Sequence, residues 1–581
     1  MHPVVASEAK QSSRVFMKFL LVVILGLRAL ELSAAVPPES PYDWSTVQTL
    51  AIQDRGRLKP LDTFAGESVQ YLTGKRSWAG QKSLFTIFSW LVQFDKDWQQ
   101  EPFLLVDSPE LRKAIGVDEK RRHFSPEELT TNEPLKAILR DALPKQRKSE
   151  PLTDLEKQAM QLQARRGFLE AIVTGRAWTI LPNGTSLETA WFSLGDLTDR
   201  TASSNYPAER MKALADVTGA MLDGFLSKDP AKWQSTSQAF VQFIKTDLGA
   251  SAYPSESALK REVHFNHLRP FRWSWVIYLL AFCLLVAGLV SKKTSKNKLL
   301  IRGGMAALGL GMLMHTYGFA LRCLIAGRPP VTNMYESVIW VSWGCLVFGV
   351  LIWAVYKNAL IPAAASVFAI VSLVLADNVP AVLDPSIQPL EPVLRSNFWL
   401  TIHVLTITLS YAAFALSLCL GNVVLGTYLL SPKNIERVQV NTLYMYRAMQ
   451  IGVVLLAAGT ILGGVWADYS WGRFWGWDPK EVWALIALLL YLAVLHGRFS
   501  GWLAGFGFTV GAVMSFLGVL MAWYGVNFVL GAGLHSYGFG SGGTIYVVVF
   551  VVAQLIFIGL AYRKYQELDE NTKKKTRLIV K

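Results

Sequence analysis

Nine long apolar runs in the second half of the chain constrain its fold more than any other feature. Each run is long enough to cross a bilayer core of about 30 Å, which takes roughly 20 helical residues. They lie near 272–290, 302–324, 337–356, 359–376, 398–430, 448–466, 479–497, 503–525 and 544–562. Because backbone polar groups in lipid must find partners within the chain, these runs are expected to be helices. The sequence therefore predicts an all-α polytopic membrane protein with about nine transmembrane helices.

The composition agrees with this class and excludes several others. Apolar residues make up 52% of the 581 residues and charged residues only 17%, whereas soluble proteins usually carry about 25% charge. The four cysteines all lie in or next to apolar runs and form no CxxC pair. This pattern excludes a disulfide framework, a zinc finger and a thioredoxin-type redox pair.

Basic residues are distributed unevenly among the loops between the apolar runs. One set of loops holds 17 Lys and Arg, and the opposite set holds about four. The richer set consists of 291–301 with the boundary residue Arg302, the turns around 357 and 498, the loop 431–447 and the tail 563–581. The positive-inside rule places this set in the cytoplasm. The net charge of +14 thus has a topological explanation, and no nucleic-acid binding is needed to account for it.

Four regions follow from these patterns. Residues 1–35 contain a lysine, a short apolar core and then small residues, which is typical of a signal peptide or an N-terminal anchor. Residues 36–270 form a soluble domain that both the signal-like segment and the loop charges place outside the cytoplasm. The membrane domain covers 271–562, and a basic cytoplasmic tail covers 563–581.

The soluble domain is predicted to be mainly helical, with helical stretches at Thr153–Thr174 and Asn205–Leu226. It has no paired cysteines, no metal-ligand spacing and no nucleophile motif, so a docking or positioning role is expected. The segment Asp54–Ala65 is dense in turn formers and charges, but no chemistry can be assigned to it.

A tryptophan-rich segment lies between the sixth and seventh runs, on the extracytoplasmic side. Residues 466–483 contain five Trp in eighteen positions. An aromatic belt at the membrane interface explains one or two of them, but not the alternation of Trp, Gly and Phe. The pattern predicts a flat aromatic platform in which glycines let a planar ligand approach closely. Asp478 and Glu481 also have a structural role, since Asp478-Pro479-Lys480-Glu481 is a capping box for the seventh helix.

Two histidines share the membrane face of this segment. His403 lies about five residues inside the outer end of the fifth run, and His535 lies in the last outer loop. Two neutral imidazoles beside an aromatic platform are what a bis-histidine haem site needs. Zinc is less well supported, because no third or fourth ligand is evident nearby.

Two further histidines lie deeper in the membrane domain. Ionisable groups at this depth are costly and are therefore functional candidates. His496 is roughly 25 Å below the start of the seventh helix at 1.5 Å per residue, whereas His315 lies in the outer half of the second run. The two depths differ by about 15 Å, which is awkward for one iron between them. Pairing of His496 with a histidine of a partner subunit is the alternative.

These residues resemble the haem-handling family of cytochrome c maturation, which includes CcsA (ResC), CcmC and CcmF. The family's motif WGxxWxWDxxE is matched by Trp471, Gly472, Trp475, Trp477, Asp478 and Glu481. Its two extracytoplasmic histidines correspond to His403 and His535, and a histidine in the following helix corresponds to His496. The runs GRPPVTNMYES at 327–337 and GLHSYGF at 533–539 resemble the CcsA branch in particular. The resemblance covers about 272–562 and does not include the soluble domain.

The resemblance implies a system II-type component of a holocytochrome c synthase in a bacterial inner membrane. It would transfer b-type haem from the cytoplasmic side and bind it transiently at the outer face. It would then present the haem to apocytochrome c, whose CxxCH thiols a thiol-reducing system keeps reduced. His403 and His535 would be axial ligands, Trp471, Trp475 and Trp477 the platform, and His496 a ligand of a deeper haem. A CcsB-like (ResB-like) subunit normally supplies another histidine; whether His315 replaces it stays open.

Two other functions compete with haem delivery. A respiratory electron carrier with permanently bound b-type haems would use the same histidines. A secondary transporter of another substrate is less well supported, because the chain has no clear internal repeat and no charged cluster at mid-membrane.

Overall fold

A computed structural model describes ten segments of the chain, and its described residues are largely helical. The segments are 41–92, 98–183, 189–198, 206–248, 253–291, 294–329, 331–380, 382–389, 398–531 and 543–577. The predicted signal peptide or anchor at 1–35 therefore lies outside the described residues. The chain divides into two compact units, Met1–Val263 and His264–Lys581.

The N-terminal unit is mainly helical, as predicted, with three small antiparallel hairpins. Its strands are β1 (Ala51–Asp54), β2 (Arg57–Pro60), β3 (Ser77–Trp78), β4 (Gln81–Lys82), β5 (Leu104–Leu105) and β6 (His123–Phe124), paired β1–β2, β3–β4 and β5–β6. Its helices are α1 (Leu61–Thr73), α2 (Ser83–Val92), α3 (Pro109–Ala114), α4 (Pro126–Thr131), α5 (Glu133–Arg147), α6 (Asp154–Val173), α7 (Gly195–Thr198), α8 (Ala208–Leu226) and α9 (Pro230–Gln242), with a π-helical turn at Phe243–Asp247. Helix α10 (Glu256–Leu268) contains the division between the units.

Local sequence signals explain where these helices begin and end. The predicted stretch Thr153–Thr174 is α6 with its two cap residues, because Thr153 and Glu156 form a capping box at its start. The second predicted stretch, Asn205–Leu226, corresponds to α8, which begins three residues later. Tyr42, Trp44, Phe88, Phe225 and Trp233 pack together in the core of the unit.

The charged segment Asp54–Ala65 forms the β1–β2 hairpin and the start of α1. Lys59 is 2% exposed and lies between the carboxylates of Asp54 and Glu67, at 2.6 and 2.5 Å. Arg57 forms a bidentate ion pair with Glu262, with N–O distances of 2.6 and 2.9 Å. The charges of Lys59 and Arg57 are therefore paired within the unit. These pairs give the segment a structural role that the sequence did not reveal.

The membrane unit contains the nine predicted spans. Nine helices among the described residues are long and apolar enough to cross a membrane. The first span joins α10 to α11 (Pro270–Val290), and the next are α12 (Thr294–Ala326), α13 (Met334–Tyr356), α14 (Leu360–Asn378), α15 (Phe398–Leu430), α16 (Ile435–Trp471), α17 (Pro479–Phe499), α18 (Phe506–Leu520) with a π-helix at Met521–Leu530, and α19 (Thr544–Gln566). A short helix, α20 (Glu570–Arg577), follows.

Several helices extend beyond the apolar runs that predicted them. The sixth run ended at residue 466, but α16 continues to Trp471. Helical hydrogen bonds do not depend on apolar side chains, so a helix continues into the polar interface until a cap ends it. Gly472 supplies that cap with a left-handed φ of 68°.

Glycines let α15 and α16 pack closely in the centre of the unit. A Cβ on Gly452 would lie 2.5 Å from the ring of Phe414, and one on Gly459 would lie 3.0 Å from the backbone of Ile407. Small residues at helix interfaces permit such approach in membranes. This contact places the N-terminal half of α15 directly against α16, where the candidate site lies.

Candidate functional site

The site begins with His403, which lies one and a half turns into α15. Its Nδ1 is 2.7 Å from the carbonyl oxygen of Gly459 on α16. Because a carbonyl can only accept, Nδ1 carries the proton and the lone pair of the neutral ring lies on Nε2. A backbone carbonyl that fixes the imidazole in this way is the usual support for a metal-ligating histidine.

His403 contributes to a cavity at the N-terminal half of α15 in the membrane unit. The cavity has a volume of about 230 Å³ and a largely apolar lining. Its walls come from the turn before α13, from α15, from the end of α16 and start of α17, and from the π-helix after α18. Aromatic side chains in the lining are Tyr411, Trp466, Phe474, Trp475 and Trp523. His403 therefore forms part of a largely apolar wall that is rich in aromatic side chains.

The tryptophan-rich segment supplies one side of this cavity. Phe474 packs over Gly464, where a Cβ would lie 2.5 Å from the ring. Trp475 lines the cavity beside it, and Trp466 is 1% exposed at the end of α16. The sequence predicts only that this segment and His403 lie on the same membrane face; in the structure, Phe474, Trp475 and His403 line one cavity.

The predicted flat platform is not present among the described residues. The rings of Trp475 and Trp477 meet at 89°, and those of Trp466 and Trp471 meet at 66°. Trp477 is 71% exposed, and neither it nor Trp471 contributes to the cavity lining. Trp471 is the last residue of helix α16, and Trp477 has a left-handed φ of 57° in the segment before α17.

Asp478 and Glu481 cap α17, as the sequence predicts. The Asp478 side chain accepts from the backbone N–H of Lys480 at 3.0 Å, and Glu481 accepts from the N–H groups of Gly476 and Asp478 at 2.8 and 3.2 Å. Arg473 adds an ion pair to Glu481 at 3.5 Å. This network holds the segment before α17 in place, and with it Phe474 and Trp475.

Of the other predicted histidines, the structure describes His315 and His496, and neither lies at this cavity. His535 lies outside the described residues. His496 is exposed near the end of α17, where its Nδ1 donates to the carbonyl of Leu492 at 2.7 Å. Neither His496 nor His315 contributes to the cavity lining.

His315 is fully buried among aromatic rings. Its Nδ1 lies 3.1 Å from the hydroxyl of Tyr278, and its ring stacks on Phe319 at 5.0 Å. Its Nε2 makes no hydrogen bond of good geometry with the described residues, although the backbone of Ile339 is close enough to interact. Among these groups, His315 is a packed interior residue rather than a wall of an open site.

The sequence did not predict the second wall of the cavity. Arg328, Thr332, Asn333 and Ser337 line it, and all belong to the GRPPVTNMYES run. The run had marked the family branch, but nothing in its pattern placed it beside His403. The fold does so because Asn333 caps α13 through a 2.8 Å bond to the N–H of Glu336 and so turns the loop into the cavity.

The wall is fixed by a buried ion cluster. Glu336 has no exposed side-chain surface and accepts from Arg322 at 2.8 Å, from Arg328 at 2.9 Å and from the backbone N–H of Thr332 at 2.9 Å. Arg322 also donates to the carbonyls of Pro385 and Ser386 at 2.8 and 3.3 Å.

The π-helix after α18 was also missed. Trp523 lines the cavity and donates from its indole N–H to the hydroxyl of Ser337 at 2.8 Å. Asn527, one turn later, lines the cavity as well. π-Helical turns are common at functional sites, but no sequence signal distinguishes this one from an ordinary helix end.

Comparison with known proteins identifies the family. Residues 331–535 match the cytochrome c assembly protein family. The cytochrome c biogenesis protein CcsA of Prochlorococcus marinus (strain MIT 9303) is 34% identical over 266 residues, which are 40% of this chain and 82% of that protein. The chain belongs to the CcsA family of cytochrome c biogenesis proteins. CcsA of Synechococcus sp. (strain RCC307) is 35% identical over 257 residues, 39% of this chain and 81% of that relative.

A longer relative extends the similarity beyond the membrane unit. Protein NrfI of Wolinella succinogenes is 30% identical over 503 residues, which are 84% of this chain and 53% of NrfI. The alignment is longer than the membrane unit, so it includes much of the soluble region. The chain spans about half the length of NrfI. The resemblance read from the tryptophan motif is thus confirmed at the level of the CcsA family.

Proposed function

We propose that this CcsA-family chain delivers haem for system II-type cytochrome c maturation. It takes haem from the cytoplasmic side, holds it transiently at the outer cavity and presents it to apocytochrome c. The observation that carries the proposal is the presence of His403 in the wall of an aromatic cavity, with its ring oriented by the carbonyl of Gly459. A haem iron needs such an imidazole as an axial ligand.

His403 and His535 are the proposed axial ligands of the outer haem. The loop charges predict that both belong to the same side of the membrane as the tryptophan-rich segment, from which Phe474 and Trp475 line the cavity. Bis-imidazole ligation keeps the iron low-spin, and the aromatic side chains exclude water from the porphyrin face. Trp471, Gly472 and Asp478 support the same proposed site, whereas the exposed Trp477, which the sequence also predicted as a platform residue, does not line it. Trp471 packs against the buried Trp466, with ring centroids 4.6 Å apart. It therefore supports Trp466, which lines the cavity.

The chemistry at the presented haem is an addition that needs no oxidant. Each cysteine S–H of the CxxCH motif adds across a vinyl C=C: the sulfur bonds to one carbon and the hydrogen to the other. No electrons are exchanged, but the sulfur must enter as a thiol, which is why a thiol-reducing system is required. The chain's own contribution is to bind and orient the haem. Since the cysteine of apocytochrome c supplies the sulfur, the chain needs no nucleophile to act within a holocytochrome c synthase.

The remaining regions have supporting roles in the proposal. Residues 36–270 are an extracytoplasmic docking or positioning module, residues 271–562 handle haem, and 563–581 are a cytoplasmic tail in a bacterial inner membrane. His496 binds haem at a deeper site before it reaches the outer one. A CcsB-like (ResB-like) subunit supplies the second histidine there, because the packed surroundings of His315 favour that alternative over His315 itself.

The test compares His403→Ala with a matched histidine variant. His264 lies in the same unit, contacts Tyr317 at 3.1 Å and does not line the cavity, so His264→Ala is the control. Each variant is purified, its haem spectrum is recorded and cytochrome c maturation is measured in cells. His403→Ala should lose the low-spin haem signal and maturation, imidazole should partly restore both, and His264→Ala should resemble the wild type.

A transfer assay separates delivery from permanent electron carriage. Haem-loaded protein is mixed with reduced apocytochrome c. The b-type absorbance should fall as the c-type absorbance rises. If the haem stays bound in full while maturation proceeds normally, the chain is a carrier. If His403→Ala retains a wild-type spectrum and normal maturation, His403 is not the ligand.

A further inference from the structure

The buried ion cluster at the cavity wall carries an excess of positive charge. Among the described residues, the two guanidinium groups of Arg322 and Arg328 share one carboxylate, that of Glu336. Arg322 is 1% exposed, Arg328 is 9% exposed and Glu336 is 0% exposed, so water contributes little to their solvation. A buried charge without a counter-ion is costly. The cluster would therefore be stabilised by an anion at its open side.

Only Arg328 of the two arginines contributes to the cavity lining. Its Nη1 contacts Glu336 and Thr332, and its Nη2 donates to the carbonyl of Gln388 at 2.9 Å. A guanidinium has five N–H donors, so these contacts do not use its full capacity. The excess charge is thus presented to the cavity through Arg328.

The other charged groups that the structure describes at the cavity do not cancel this excess. Lys480 and Glu481 both line the cavity, and with Arg473 and Asp478 they form a set with two positive and two negative charges. Asp384, in the segment that bonds to Arg322, is exposed and accepts from Ser386 at 2.8 and 2.9 Å. The wall that holds Arg328 is therefore the positive side of the cavity.

Haem is itself asymmetric in charge. Its two propionate carboxylates lie at one edge of the porphyrin, and its two vinyl groups lie on the part of the ring away from them. Arginine is the side chain best suited to bind a carboxylate, because its planar N–H groups match the two oxygens. We propose that Arg328 is the carboxylate subsite of the haem cavity. By binding a propionate, it orients the vinyl groups away from this wall, where they meet the thiols of apocytochrome c.

This inference rests on the proposed function and defines how the substrate is oriented. Glu336 is the positioning residue, because it holds Arg328 through the same carboxylate that binds Arg322. The arrangement also makes the test practicable. Arg328→Gln removes the uncompensated charge and leaves Arg322 and Glu336 as a neutral pair, so the variant should fold.

The experiment titrates the purified full chain with two ligands: iron protoporphyrin IX and its dimethyl ester, in which both propionates are neutral. The wild type should bind the free acid about tenfold more tightly than the ester, as expected for one charge-assisted bond. Arg328→Gln should lose this preference while binding the ester as the wild type does. Arg328→Lys should retain part of it. Arg272→Gln is the control, because Arg272 pairs with Asp377 at 2.8 Å and does not line the cavity.

Each outcome has one meaning. Equal binding of acid and ester by the wild type would overturn the subsite, as would an equal loss of both ligands in Arg328→Gln, which a purely structural arginine would produce. The visible spectrum of the bound ester reports ligation by His403 independently of the carboxylates. If neither porphyrin gives a low-spin, histidine-ligated spectrum on binding, the proposed function itself fails.

Discussion

The imidazole of His403 occupies the space that a side chain at Gly463 would need. A Cβ on Gly463 would lie 2.6 Å from Cε1, 2.8 Å from Nδ1 and 3.2 Å from Nε2 of that ring. The carbonyl that orients the ring belongs to Gly459, one turn earlier on the same helix. Helix α16 therefore positions His403 twice, once by a hydrogen bond and once by leaving room for it.

Gly463→Ala should lower haem content although alanine is the better helix former. The substitution gains about 1 kcal/mol of helix propensity, so a loss of haem must come from displacement of the His403 ring. The measurement is haem per protein after purification, together with the low-spin fraction in the spectrum. Gly309→Ala is the matched control, because a Cβ there meets nothing within 4 Å. A Gly463→Ala variant with normal haem would show that the ring can move without consequence.

Trp475 and Trp477 should differ in their effect on haem retention. Trp475 lines the cavity, whereas Trp477 is 71% exposed and does not. Trp475→Ala should therefore release haem faster during washing, and imidazole should not restore retention, because it cannot replace an aromatic wall. Trp477→Ala should stay close to the wild type in the same assay. A larger loss of haem in Trp477→Ala than in Trp475→Ala would mean that Trp477 turns inward when haem binds.

The sequence predicts the membrane helices well and the site only in part. Apolar runs determine the nine spans, and the capping box at Asp478 locates the start of α17. Ring directions depend instead on backbone details that no residue pattern specifies, such as the positive φ of Trp477. The Arg328 wall depends on packing between segments far apart in the chain. A motif can therefore be recognised from sequence before its position in the site is known.

Glu336→Gln should destabilise the protein strongly. It leaves two buried guanidinium groups without a carboxylate, and breaking a buried pair in this way costs about 3–5 kcal/mol. The thermal unfolding midpoint of the purified protein should fall clearly. Glu570→Gln should change it little, because Glu570 is 78% exposed in its ion pair with Lys573. An unchanged midpoint for Glu336→Gln would mean that water or ions reach the cluster.

The proposed orientation can be tested with single cysteines at two exposed positions. Asn378 ends α14 and Ser431 follows α15; the loop charges place the first outside and the second in the cytoplasm. A membrane-impermeant maleimide applied to spheroplasts should label Asn378→Cys at once and Ser431→Cys only after permeabilisation. The unmodified chain gives the background, since its four cysteines are buried or half-buried. Equal labelling of both positions before permeabilisation would contradict the nine-span topology.

His496 should control how much haem the protein carries. It is exposed near the C-terminal end of α17, on the proposed cytoplasmic side, and its Nδ1–H donates to the carbonyl of Leu492. If haem passes an inner site before the outer one, His496→Ala should lower total haem in the purified protein, even though His403 is intact. Co-expression of a CcsB-like subunit should increase the difference between wild type and variant, because the partner supplies the opposite ligand. His315→Ala should instead lower the thermal midpoint, since it removes a side chain packed on Phe319. Normal haem and normal cytochrome c maturation in His496→Ala would identify His496 as a hydrogen-bonded group at a helix end, and haem would then reach the outer cavity without it.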